Sequence, residues 1–347
     1  MWQITILTDY NEVFSDEHLN MYKRYMEAAE CTNVFCHPEL ICTWYESYIR
    51  IRSLIPYWVW GTDNNTGNVA IWPLVLWRRN MYGAFARVVM PMGSMDMDYH
   101  EPIFIYRPTT IMRNDFVDSV CYEINKRASA DIILLDGMQC SKPSSVDYVD
   151  KIVCPYCDIT GYDKDGIIEK LIGRRTVSEI YRRRRRLEYE GEVALHHYNK
   201  KDVVGCDESL KLMLECHTRR WSRAFKAPGF HIALVKRGVE AGIVDFSELR
   251  VGGRPVSWYI ALTWRNVYSL YMPAWDAAYR SHGVGKLHLA MLVAEAAEQG
   301  MTRVDFMRGE EAYKMEWCDR KDYVSDFRIE GRSLRSRVVN TLLRLRR

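Results

Sequence analysis

No apolar stretch in this chain reaches the roughly 18 to 20 residues that a membrane-spanning helix needs, and the opening Met1-Trp-Gln-Ile-Thr-Ile lacks the basic segment of a secretory leader. Both absences lead to the expectation of a cytoplasmic protein. A charge imbalance is missing too. The 48 Lys and Arg against 45 Asp and Glu leave a net charge of +3 over 347 residues, too little to make nucleic acid the expected partner. Neither the Walker pattern Gly-x-x-x-x-Gly-Lys-Ser/Thr nor the dinucleotide fingerprint Gly-x-Gly-x-x-Gly after a buried strand occurs, and Gly-x-Ser-x-Gly is absent as well. Ten cysteines are scattered along the chain, and Cys154-Pro-Tyr-Cys157 has no second Cys-x-x-Cys beside it. Reduced thiols and no metal are therefore expected.

What the chain has instead is a concentrated pattern near its end. An apolar fraction of 48% is enough to fill two cores at this length. In the second half, strand-like runs cover Val244–Leu249, Val256–Trp264 and Val267–Met272, with Gly252-Gly253 and Arg265-Asn266 as turns between them. Next comes Tyr279-Arg280-Ser-His282-Gly283-Val284-Gly285-Lys286, opening a helix that runs to Gln299 before the strand Arg303–Met307. The order is β-β-β-α-β. Two glycines at a helix start let backbone N–H groups approach an anion, and Arg280 and Lys286 add positive charge. Arg280, His282, Gly283, Val284, Gly285 and Lys286 are thus candidate contacts for a phosphate-bearing cofactor.

This segment resembles the acyl-CoA site of the GNAT acyltransferase superfamily, in which Arg/Gln-x-x-Gly-x-Gly/Ala at a helix start grips the cofactor pyrophosphate. Four further stretches narrow the resemblance. Asp305-Phe-Met-Arg-Gly309-Glu-Glu311-Ala-Tyr313-Lys314-Met-Glu-Trp317, His217-Thr-Arg-Arg220-Trp221, Ser178 with Arg182–Arg186, and Phe35-x-x-Pro38-Glu39 are similar to motifs of the acetyltransferase family associated with cellulose and exopolysaccharide biosynthesis, a relative of the Fem peptidyltransferases. The resemblance implies an α/β (α+β) fold of two tandem GNAT-like domains, each a mixed, largely antiparallel sheet flanked by helices. It also implies acetyl-CoA or another acyl-CoA as donor.

The first half carries the same grammar in weaker form. Strand-like runs at Tyr57–Trp60, Asn68–Trp77 and Arg87–Met90 precede a helix around Ile111–Arg127 and a strand at Asp131–Leu135. The domains are accordingly expected at 1–165 and 166–347. Where a phosphate turn would fall, the chain reads Asp98-Tyr99-His100-Glu101, an acidic stretch that repels a pyrophosphate. The N-terminal domain is expected to shape the acceptor side, with Asp98, Tyr99 and His100 as substrate contacts or, equally, as an ordinary exposed polar loop.

Acyl transfer from a thioester to an amine needs a proton acceptor for the amine and a donor for the departing sulfur. On the resemblance, Glu311 and His217 are the candidate bases, Tyr313 the candidate acid, Lys314 a phosphate contact, and Arg220 with Trp221 a stacked wall for the acceptor. Tyr313 and Trp317, spaced i and i+4, equally describe a packed helix face. The expected reaction is N-acylation of an amino-sugar, amino acid, or polysaccharide or natural-product precursor. Two alternatives stand beside it: a Fem-like transferase using aminoacyl-tRNA, motivated by Arg174–Arg186, and a non-catalytic scaffold. The tail Arg332–Arg347 places Leu334, Val338, Leu342 and Leu345 on one helical stripe among six arginines. That stripe is expected to pack on its own domain, with an anionic membrane surface as the other option.

Overall fold

The computed structural model describes residues 2–81, 84–127, 129–139, 148–199, 203–222 and 225–345. In chain order the elements are β1 (Trp2–Leu7), α1 (Tyr10–Val13), α2 (Asp16–Ala28), α3 (Pro38–Ile49), β2 (Ser53–Asp63), β3 (Val69–Met81), β4 (Ala84–Pro91), β5 (Ile103–Phe104), α4 (Thr110–Lys126) and β6 (Ile132–Met138). There follow β7 (Tyr148–Asp158), α5 (Lys164–Glu188), β8 (Val193–His197), α6 (Val203–Arg220), α7 (Phe230–Ala241), β9 (Val244–Val251), β10 (Arg254–Trp264) and β11 (Val267–Trp275). The chain finishes with α8 (Val284–Glu298), β12 (Arg303–Asp305), α9 (Ala312–Trp317), β13 (Arg320–Glu330) and α10 (Leu334–Leu345). Among the described residues no helix is long and apolar enough to cross a membrane, and the nine described cysteines are free.

Two compact units divide the chain, Met1–Ile152 with Tyr323–Arg347, and Val153–Asp322. The first has strand order β1-β2-β3-β4-β6-β13, with β5 beside β3; the second has β7-β12-β11-β10-β9-β8. In the first unit β4 and β6 are parallel, and in the second β11 and β12 are parallel, each pair joined through one crossover helix, α4 or α8. The duplicated β-β-β-α-β grammar read from the sequence is therefore real.

Its boundary is not where the sequence suggested. The units divide at 152/153 rather than 165/166, and the segment from Tyr323 onward joins the N-terminal unit. β13 pairs antiparallel with β6, from Ser325↔Met138 to Glu330↔Ile132. The tail is then locked by fully buried Asp131, which accepts from Arg87 Nη2 (3.1 Å), Arg335 Nη2 (3.2 Å) and Ser336 Oγ (3.2 Å). Asn340 Nδ2 donates to the Asp131 carbonyl at 2.9 Å. Burial would raise the Asp131 pKa; the Arg87 hydrogen bonds and charge outweigh it and hold the carboxyl below its usual range.

In the second unit α8 is buried between the sheet and α5, in one core with Ile167, Ile180 and Leu187 of α5 and Leu249, Tyr259 and Tyr268 of the strands. Leu287, Leu292, Val293 and Ala296 lie inside, so the helix is apolar around most of its circumference. α5 is two helices meeting at Gly173, whose φ of 75° breaks the ladder.

One polar clamp ties this core to the edge strand. His197 of β8 bonds Asp245 Oδ1 through Nδ1 (2.7 Å) and Glu295 Oε2 through Nε2 (2.8 Å), and Tyr268 donates to Asp245 Oδ2 at 2.6 Å. Burial alone would lower the His197 pKa, but bonds to two carboxylates lift it to about 10. A raised histidine pKa adds stability that is complete below the unfolded value near 6.5 and is lost as pH climbs to the folded one. Wild type should therefore lose melting temperature between about pH 6.5 and 10 more steeply than His197→Gln. Parallel melting curves for the two proteins across that window would show the clamp is uncharged.

Candidate functional site

The site begins with a strand that leaves its partner. β11 runs parallel to β12 for three residue pairs only, Val267↔Arg303 to Ser269↔Asp305. Against β10 its register shifts between Ile260↔Met272 and Ala261↔Leu270, leaving Tyr271 as an extra residue. A bulge of this kind bends and re-twists its strand. It lies two residues beyond Ser269, and Leu270–Trp275 has no strand on its β12 side among the described residues.

The chain then turns through residues 277–282, started by Asp276, whose Oδ1 accepts from Ala278 N at 3.0 Å. Gly283 ends that turn in the left-handed region (φ 65°), which a side chain would strain. A Cβ there would also lie 2.3 Å from Arg183 Nη1 of α5. Lys286 N and Leu287 N return to the Gly283 carbonyl (3.0 and 3.1 Å). Among the described residues no carbonyl accepts from Val284 N or Gly285 N, the donors a helix start leaves open.

A cavity of about 250 Å³ opens at this point. Gly283, then Val284, Gly285, Lys286 and Leu289 of α8, Pro273 and Trp275 of β11, and Tyr259 of β10 line it, together with Tyr313, Glu316 and Trp317 of α9 and with Arg220 and Arg280. The Arg220 guanidinium sits 4.4 Å from the Trp275 ring and 5.5 Å from that of Trp221, a cation on an aromatic face. Lys286 pairs with Glu316, and Arg183 beside Gly283 pairs with Glu179. Burial first and Glu311 second raise the Tyr313 pKa, with Arg220 opposing. Tyr313 therefore keeps its proton at neutral pH.

The expected site residues divide. The structure brings Arg280, Gly283, Val284, Gly285, Lys286, Arg220 and Tyr313 to one cavity. His282 is outside its lining, paired with Glu190 of the α5 C-terminal turn at 3.3 Å. Lys314 is buried and spent on the Arg308 carbonyl (2.6 Å) and the Glu311 carboxylate (2.9 Å), so neither Lys314 nor Glu311 faces the cavity. Trp221 is exposed, behind Arg220. His217, one turn before Arg220, is also outside the lining. Its Nδ1 is buried without a hydrogen-bond partner among the described residues, and burial, then Arg220, lower its pKa.

In the N-terminal unit the acidic stretch is not an open loop. Tyr99 is buried against Phe35 (5.9 Å), His100 donates through its backbone N to Gly137 O (3.1 Å), and Trp72 Nε1 donates to His100 O (2.9 Å). Glu101 pairs with Arg113 at 3.2 Å. At Gly137 of β6, in the left-handed region with φ 66°, a Cβ would lie 2.3 Å from the Asp98 carbonyl oxygen. Residues 92–100 thus fill the space beyond β4 and β6 that corresponds to the cavity beyond β11 and β12. Sequence reasoning missed the aromatic walls, Tyr259 and Trp275, because a buried tyrosine and a strand-end tryptophan read as core. It also left Arg183 undistinguished within its run of five.

Residues 174–315 match the family model for the acetyltransferase (GNAT) domain. No curated protein matches the chain in sequence. Among solved structures the fold is similar to FemX, with TM-score 0.59 and 9% identity over 98% of this chain and 100% of that one. It is also similar to a conserved protein of unknown function from Bacteroides thetaiotaomicron, with TM-score 0.57 and 10% identity over 94% and 100% of the two chains. L-PGS from Bacillus licheniformis gives TM-score 0.53 and 10% identity over 95% and 96%. At such identities the likeness is one of fold. The matched segment holds the cradle, the parting strands and most of the cavity wall, and it is this segment that is similar to the acetyltransferase (GNAT) domain.

Proposed function

We propose that this protein is an acyl-CoA-dependent acyltransferase that transfers its acyl group to an amine. The observation that carries the reading is one cavity in which an uncapped, glycine-opened helix start, two guanidinium groups and a protonated tyrosine converge beside β11, where its ladder with β12 has ended. The residues present suit the donor: open N–H groups and Arg280 for a diphosphate, and the apolar surfaces of Trp275, Leu289 and Trp317 for a slender pantetheine arm. When bound, acyl-CoA supplies the thioester. Beyond Ser269 no described strand lies on the β12 side of β11, and backbone groups there would align an extended ligand, as in strand addition. Tyr313 holds a proton for the departing sulfur, and the amine gives its proton to water, since Glu311 and His217 stand outside the wall.

Gly285 makes a sharp test of the cradle. Its φ is ordinary, and a Cβ there meets only the Trp275 ring at 3.5 Å or beyond. Gly285→Asp puts a carboxylate in the first turn, which the helix dipole favours and a diphosphate does not. Calorimetric titration with acetyl-CoA should show at least a tenfold weaker Kd with the melting temperature unchanged or higher; Arg280→Gln should weaken binding about 10- to 100-fold. Unaltered affinity in both variants would remove CoA from this cavity.

For the chemical step, Tyr313→Phe should cost about 10² to 10⁴ in kcat with acetyl-CoA affinity preserved. Glu311→Gln and His217→Gln should stay within about tenfold of wild type. A larger loss in either of these than in Tyr313→Phe would transfer the acid–base role to it.

The likeness to FemX supports a second reading, an aminoacyl-tRNA donor met by the basic face of α5. There Arg183 and Arg184 are neutralised by Glu179 and Glu188, while Arg182, Arg185 and Arg186 are exposed. Filter binding decides between the two. Tight, steeply salt-dependent retention of charged tRNA by a protein indifferent to CoA would favour this second donor.

A further inference from the structure

The C-terminal helix presents two apolar faces, and its domain uses one. Val339 and Leu343 pack on Ala86, Val88 and Ile132 of β4 and β6, with Ser336 and Asn340 buried beside them in the Asp131 network. At about 100° per residue, Leu334, Val338, Leu342 and Leu345 fall diametrically opposite that face, and all four are exposed, Leu334 at 81% and Leu345 at 78%. The sequence-based expectation that this stripe packs inward is overturned, because the Asp131 network selects the polar-edged face for the interior.

Exposed Phe85 (73%) extends the stripe: its carbonyl accepts from Arg335 Nη2 at 2.9 Å, one residue from Leu334. Arginines flank the stripe on both sides, Arg337 and Arg344 on one and Arg335 on the other, all exposed. Arg344 pairs with Glu330 at 2.8 Å and Arg335 with Asp131 at 3.2 Å. From Gly331 onward the sequence holds no carboxylate. The acidic groove of Asp115, Asp118 and Glu123 on α4 belongs to the opposite face of the sheet, where Val89 and Ile133 point; Val88 and Ile132 point toward α10.

We propose that α10 and Phe85 form an interfacial docking surface for an anionic lipid bilayer. Twelve residues make a helix about 18 Å long, too short and too one-sided to span a membrane but suited to lie in its interface. Leucine and valine enter the acyl boundary while the flanking guanidinium groups reach lipid phosphates. A second copy of the chain fits less well, since a two-fold contact through this face sets arginine against arginine.

The test is flotation of the full-length protein with vesicles of phosphatidylcholine alone or mixed in equal parts with phosphatidylglycerol. Binding is expected to the mixed vesicles only, and to fall as NaCl rises from about 0.1 to about 0.5 M. Leu334→Asp with Val338→Asp should abolish it without lowering the melting temperature, because both side chains are exposed. Arg337→Gln should weaken it about fivefold. Failure of the wild type to float with mixed vesicles, or flotation that survives the double substitution, overturns the proposal. A concentration-dependent dimer in sedimentation, abolished by the same substitutions, also overturns it by giving the stripe to a second copy.

Discussion

Everything in the second unit depends on two parallel strands that agree for three residues and then part. A parallel ladder satisfies the facing edge of each of its two strands; here the bulge at Tyr271 turns β11 aside just after Ser269 and Asp305 make the last pair. The end of the ladder, the cavity beside it and the aim of Trp275 follow from that bend. So does the position of α8, whose first turn leaves β11 through the Asp276-capped turn and is held under α5 by apolar contacts. The cradle has little freedom because α8 is buried on most sides, which suits the preorganised anion site proposed above.

The N-terminal unit shows what the same plan becomes without the bend. β3 and β4 keep regular register from Leu74↔Pro91 to Met81↔Ala84, with no bulge. Beyond the pairing of Val88 and Val89 with Ile132 and Ile133, the space is closed by the chain itself: Met92, Met97, Tyr99 and His100 are buried there. The acidic character of the stretch reflects local satisfaction, Asp96 by Trp44 Nε1 at 3.1 Å and Glu101 by Arg113. One half of the duplication has a pocket and the other a plug.

Local pattern carried much of this from the sequence. The meander at β9, β10 and β11, the helix start at Gly283, and the repeated grammar of the two halves are set by period-two runs and turn residues, which are properties of neighbours in the chain. What was illegible depends on partners far apart. Nothing near Asp131 announces that Arg335, Ser336 and Asn340 will satisfy it, so the domain boundary and the buried face of α10 were both misplaced. Lys314 and Glu311 looked like site residues because of their motif, yet they bond one another and the Arg308 carbonyl. Arg280 and Tyr313, singled out by their motifs, line one cavity, whereas the aromatic wall that makes their neighbourhood a cavity comes from strands whose facing sides no local rule reveals.

The division of the strands has a consequence for biogenesis. β7, encoded just after the first repeat, completes the second unit beside β12, and β13, encoded after the second repeat, completes the first beside β6. As the chain leaves the ribosome, β6 therefore waits with one edge unpaired while the whole of the second unit is made. An apolar strand such as Ile132-Ile-Leu-Leu135 with its β13 edge open is prone to pair with other nascent chains. The first unit thus becomes complete only when the last segment of the chain, from Tyr323 onward, has been made.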